Sequence, residues 1–217
     1  MADYILKKIK YVNSGCAECV FSPDTGFYLR FQYLDILSED RFSEEAVFSE
    51  EEFSDCVQAG EAYAAERAAL NYLSRNEHSR FLLKQKLLKK QFDASAIEKS
   101  LNYIEEKKWL SDERYAEAWL RCRSSTRHEG RLRLFRELTA HGVSKEVSEA
   151  ALDNFFSERN EDEIFEKAYE KLVRQKKSGN ALVAALIRLG FSHRMIMKKR
   201  DALNNFNDIE SSKKIGF

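Results

Sequence analysis

Apolar residues follow two different periods along this 217-residue chain. Over the first 35 residues they alternate with polar ones or cluster in β-favouring runs, at Tyr4–Val12 and Phe27–Leu34. Between them lies the turn signal Ser22-Pro23-Asp24-Thr25-Gly26. Two or three short strands in a small meander are expected there. Ser49-Glu50-Glu51-Glu52 forms a capping box, with Phe48 and Phe53 placed as its hydrophobic staple, so a short helix is expected to start at that point. From Glu61 the apolar spacing becomes three and four, the period of helices buried on one face.

In the helical region a single phrase occurs three times, as Ser79–Asp93 (SRFLLKQKLLKKQFD), Gly130–Ser144 (GRLRLFRELTAHGVS) and Ser178–Ser192 (SGNALVAALIRLGFS), at offsets of 51 and 48 residues. Each copy opens on a residue suited to a helix N-cap and continues through two leucines four apart: Leu83 and Leu87, Leu134 and Leu138, Leu182 and Leu186. It then stops, places an apolar residue (Phe92, Val143, Phe191), and restarts at Asp93, Ser144 or Ser192. Gly142 and Gly190 suit the left-handed stop because glycine has no Cβ to clash. The first copy has Gln91 there and is expected to end less cleanly. Three helices per unit follow. First helices are expected near 61–75, 112–124 and 161–175, second near 80–90, 131–141 and 179–189, third near 94–107, 145–156 and 193–204.

A repeat of this length means stacked units that cannot bury their apolar faces alone. The expected fold is mainly α, with three three-helix units in an elongated array behind a small N-terminal β-rich segment. The divisions are 1–60, 61–110, 111–160 and 161–204, with a polar tail at 205–217 expected to fray. A single proline, Pro23, fits a helical chain with short turns.

Charge changes this picture only through its distribution. Lys plus Arg and Asp plus Glu are equal at 36 each, yet residues 1–66 hold 14 acids and 5 bases, and residues 67–217 hold 22 acids and 31 bases. A basic repeat body behind an acidic leader suits a polyanionic or acidic partner; solvated helix faces are the plainer account. No run approaches the roughly 20 apolar residues of a membrane span. The start, MADYILKKIK, lacks a signal-peptide core, so a cytoplasmic location is expected.

The most specific stretch is Asp112-Glu113-Arg114-Tyr115-Ala116-Glu117-Ala118-Trp119-Leu120-Arg121-Cys122-Arg123. With Arg131–Leu138 and His141-Gly142-Val143 it resembles the RecX family, regulators of the bacterial recombinase RecA. Lys86-Leu87 and Leu189-Gly190-Phe191-Ser192 match the flanking repeats, and the resemblance covers about residues 61–204. Three places depart from the family pattern: Gln91 in place of glycine, Leu82 in place of a capping glutamate, and a longer, more polar Ser124–Glu129. The resemblance implies a protein that binds RecA, lies along its filament on single-stranded DNA, and lowers strand exchange, ATP hydrolysis and repressor-cleavage activity. It implies no catalytic group and no cofactor.

Candidate contact residues for RecA or DNA are Arg114, Arg121, Arg123, Arg127, Arg131, Arg133 and Arg136, interrupted by Glu129 alone among acids, with Lys86, Lys89 and Lys90 as a second cluster. Arginine's planar fork fits carboxylates and phosphates alike. The plainer reading is a solvated helix face with Glu137 pairing it. Tyr115 and Trp119 are a possible stacking pair for bases, but Ala116 and Leu120 extend an apolar stripe that makes them core. Cys16-Ala17-Glu18-Cys19 has no second CxxC and no nearby histidine, so incidental cysteines are expected over a zinc or redox site. No phosphate loop or nucleophile motif is present, and eight glycines are too few to build one, so the chain is not expected to be an enzyme. The competing reading is a stand-alone nucleic-acid-binding helical repeat protein. A monomer is expected in either case.

Overall fold

The structure is a computed structural model and describes residues 4–13 and 15–202. Its chain opens with strands β1 (Tyr4–Asn13), β2 (Cys16–Phe21) and β3 (Thr25–Arg30), and after two 3-10 turns reaches β4 (Val47–Phe48). The sheet is antiparallel, in the order β3-β2-β1-β4. The expected turn at 22–26 is real, and it joins β2 to β3. The meander has a middle strand that the two expected strands bracketed without naming. Burial explains the miss: Cys16, Ala17, Cys19 and Phe21 are 1% exposed or less, so the strand reads as a short apolar run around a CxxC rather than as an alternation.

Helices follow as α1 (Glu50–Leu73), α2 (Arg80–Lys89), α3 (Ala94–Glu106), α4 (Asp112–Thr126), α5 (Arg131–Ala140), α6 (Lys145–Ser157), α7 (Glu161–Arg174), α8 (Gly179–Arg188) and α9 (193–202). The molecule is thus mainly helical, with three-helix repeats behind a small antiparallel sheet. The expected third helix of the last repeat continues to 204 and the tail begins at Asn204; both ends lie outside the described residues.

One expectation needs correction. The short helix starting at Ser49 and the first repeat helix near 61–75 are a single helix, α1. The capping box at its start is formed, Ser49 Oγ accepting from Glu52 N and Glu52 Oε2 accepting from Ser49 N. Gly60 is not a stop. A Cβ there would come within 2.7 Å of the Phe27 ring, so glycine lets α1 lie close against β3.

The chain divides into two compact units, one ending at Asp112 and the other beginning at Glu113. In the first, one face of the sheet and helices α1 to α3 share a core that includes Leu6, Phe21, Leu29, Phe48, Leu83, Leu87, Ile97, Leu101 and Ile104. Glu66 is buried in it and binds the Arg30 guanidinium through two contacts of 2.8 and 2.6 Å, while Tyr33 Oη donates to the same carboxylate at 2.9 Å. Buried Asp55 accepts the backbone N–H groups of Asp35, Ile36 and Leu37, pinning the segment after β3 onto α1. In the second unit α7, α8 and α9 close around Phe165, Ala168, Leu172, Ala185, Leu186, Phe191 and Ile196.

The repeat is legible in hydrogen bonds. Phe92 N, Val143 N and Phe191 N each reach back to the carbonyl five residues earlier, at Leu87, Leu138 and Leu186. The residue before each has positive φ: Gln91 (67°), Gly142 (81°) and Gly190 (89°). The first copy therefore stops with the same geometry as the others, and Gln91 ends α2 as cleanly as glycine does elsewhere. A carboxylate also caps the second helix from the next first helix. Asp112 Oδ1 accepts from Arg80 N at 2.8 Å, and Glu161 Oε1 from Arg131 N at 3.2 Å.

Candidate interaction surface

The basic run divides by partner once it is folded. At the corner between α4 and α5 the carboxylate of Glu129, 4% exposed, sits under the arginines. Arg123 Nε donates to it at 2.6 Å and Arg123 Nη2 to Glu137 at 2.6 Å; Arg133 Nε lies 3.0 Å from both acids. The bond to Glu129 holds the Arg123 proton more tightly than usual, against an opposing effect of burial. Arg123 also lies 5.1 Å from the Trp119 ring centre. Arg131 pairs with Asp153 at 2.5 Å. Its counterpart one repeat earlier, Arg80, contacts Asn102 at 2.7 Å, 22 residues on in both cases. Arg123, Arg131 and Arg133 are therefore bound internally.

The other predicted cations face outward. Arg121 and Arg136 are exposed, with no carboxylate at ion-pair distance among the described residues, and Arg127 approaches Glu129 only at 3.8 Å. Arg114 is exposed in the first turn of α4. On α2, Lys86 Nζ lies 4.8 Å from the Tyr72 ring centre and that of Lys90 5.5 Å, whereas Lys89 is exposed. The structure brings the arginines of α4 and α5 together within the second unit, and Lys86, Lys89 and Lys90 lie in the first.

Sequence reasoning missed the bases that face this corner from later helices. A cleft of about 330 Å³ is lined by Arg127, His128, Glu129, Arg133, Lys171 and Leu172, among others. A second, of about 160 Å³, shares Arg127, His128 and Glu129 and adds Arg123, Arg159 and Lys167. Lys167 and Lys171 stand four apart on exposed α7 positions, the one sign of a shared face in the sequence. Nothing local ties them to Arg127.

Tyr115 is core, as its stripe predicts: 6% exposed, its hydroxyl 2.9 Å from His141 Nδ1. Cys16, Cys19 and Cys56 are buried thiols, and burial pushes Cys19 and Cys56 up to about 12. Thiolate chemistry at neutral pH is thereby suppressed. Among the described residues, no three His, Cys, Asp or Glu side chains converge to hold a metal ion, and no helix is long and apolar enough to cross a membrane.

Comparison with known proteins agrees with this architecture. Residues 65–103 match the family model for the first three-helix domain of RecX, and residues 111–152 that for the second. Regulatory protein RecX of Treponema pallidum is 35% identical over 150 residues, 69% of this chain and 92% of its own. Its namesake in Neisseria meningitidis is 41% identical over 91 residues, 42% of this chain and 58% of its own. A crystal structure of a regulatory protein RecX superposes with a TM-score of 0.71 over 91% of this chain and 99% of that one, at 19% identity, a likeness of fold. With both three-helix domains matched in register and a relative aligned along nearly its whole length, the chain belongs to the RecX family of regulatory proteins.

Proposed function

We propose that this protein binds RecA and its filament on single-stranded DNA and restrains recombinase, ATPase and coprotease activities in the cytoplasm. It acts as a monomer and not as an enzyme. The observation that carries the reading is the family membership of a chain whose three-helix units repeat and whose exposed cations lie in more than one of them. Units repeated along a chain suit a partner that is itself a repeating polymer, because each added contact raises avidity without a deep pocket. Arg121, Arg127, Arg136 and Lys89 are the cations best placed to meet carboxylates on such a partner, since folding leaves them exposed. Arg123, Arg131 and Arg133 serve the fold first.

The test is single-strand-dependent ATP hydrolysis by RecA, titrated with this protein. A fall in rate well below one molecule per RecA protomer is the expected result. Inhibition that begins only when the DNA is saturated with this protein would mean competition for the strand. No inhibition at any ratio would sink the proposal.

A further inference from the structure

The corner between α4 and α5 gathers more positive charge than its internal pairing consumes. The two adjoining clefts are faced by Arg123, Arg127, Arg133, Arg159, Lys167 and Lys171, and a single carboxylate, Glu129, lines them. That carboxylate is buried and engaged by Arg123 and Arg133, and Glu137 is held by the same two arginines. Lys167, Lys171 and Arg159 are exposed and have no carboxylate at ion-pair distance among the described residues. The remaining acids of α7 do not relieve them: Glu166 accepts from Lys199 at 2.7 Å, and Glu170 reaches toward Arg174 at 3.9 Å. The clefts are also partly apolar, through Ala168, Leu172 and Leu189 in one and Leu134, Phe155 and Ile164 in the other.

We infer that these two clefts bind the phosphodiester backbone of single-stranded DNA, with Arg127 at their shared edge and Lys167, Lys171 and Arg159 as the phosphate contacts. Three features favour a strand over other anions. Cations without partners surround a concavity rather than a flat face, so phosphates are met from several sides. The apolar floor accepts bases irrespective of sequence, as in other single-strand grooves. Clefts of about 330 and 160 Å³ admit one flexible strand but not a duplex. The polar Ser124–Glu129 segment, longer than its family resemblance leads one to expect, has a role here. It carries Arg127 and His128 out to the divide between the clefts while Glu129 anchors the turn from beneath.

This assignment is independent of the RecA reading and is tested without RecA. Fluorescence anisotropy of a labelled oligodeoxythymidine would compare the wild type with Arg127→Ala/Lys167→Ala/Lys171→Ala and with a charge-matched control on β1, Lys7→Ala/Lys8→Ala/Lys10→Ala. All six positions are exposed, so both variants fold, as unchanged thermal melts would show. The expected result is binding at low salt. The cleft variant should bind at least about tenfold more weakly, and its salt slope should fall by about 0.7 for each phosphate it no longer engages. The control should bind like the wild type. Equal weakening in both variants would reduce the effect to net charge and overturn the site, as would no wild-type binding at all. A duplex of the same length binding as tightly, or polyglutamate displacing the oligonucleotide at equal charge, would assign the clefts to another partner and overturn it as well.

Discussion

Gln91 holds a backbone conformation that glycine holds one repeat later. With φ at 67° it caps α2 as Gly142 caps α5, and the Phe92 N–H still reaches the Leu87 carbonyl. A side chain in the left-handed region is strained, so Gln91→Gly is expected to stabilise the protein by about 0.5–1 kcal/mol, read as a shift in the urea midpoint. The stop itself was legible from the repeat; its persistence without glycine was not, because tertiary contacts around Phe92 impose it. The cysteines make the reverse case. Their spacing suggested chemistry, and their burial on β2 and α1 denies it. Native protein should react with Ellman's reagent at one thiol, the exposed Cys122, and denatured protein at all four. Folded Cys19 keeps its proton up to about 12 against an ordinary 9.0. Between these values the folded chain binds more protons than the unfolded one. Stability from this thiol is thus complete below about pH 9 and is lost as pH rises toward 12. Urea midpoints at pH 8 and pH 10 check it: the drop should shrink in Cys19→Ala.

Between α4 and α5 the helices are joined by an ion-pair knot that no periodicity announces. Glu129 stands in the sequence as an acid interrupting a basic run, and in the fold as the group that run is wrapped around. Removing it would leave Arg123 and Arg133 facing each other over a void. Because those arginines are 19% and 34% exposed, water relieves some of the loss. Glu129→Ala is expected to lower stability by about 2 kcal/mol. Arg136→Ala, on an exposed face of α5, should stay within about 0.5 kcal/mol of the wild type. Chemical denaturation of both variants checks the pair; equal losses would mean that the knot is not structural. Helix positions were readable because leucine spacing, N-caps and stops are local. Which arginine meets which acid was not, since partners such as Arg131 and Asp153 lie 22 residues apart.

For the whole molecule, the sequence carried the repeat and the family, and it missed the joins. The break drawn between an N-terminal segment and the first repeat falls inside α1, since Gly60 marks a close approach of β3 rather than an end. The acidic balance of residues 1–66 is likewise partly inward. Asp55 and Glu66 are buried and engaged by backbone amides and Arg30, so not all of that charge is available to screen the basic repeats.

Anyone excising a single repeat for study meets a practical consequence of the carboxylate caps. Residues 65–103, the span matched as the first three-helix domain, leave out both Glu61, which accepts from Asp93 N, and Asp112, which accepts from Arg80 N. A fragment cut at those edges begins two helices with unsatisfied amides and loses the first turns of α1. One that keeps Ser49 through Asp112 carries every cap with it, and lies within the first compact unit.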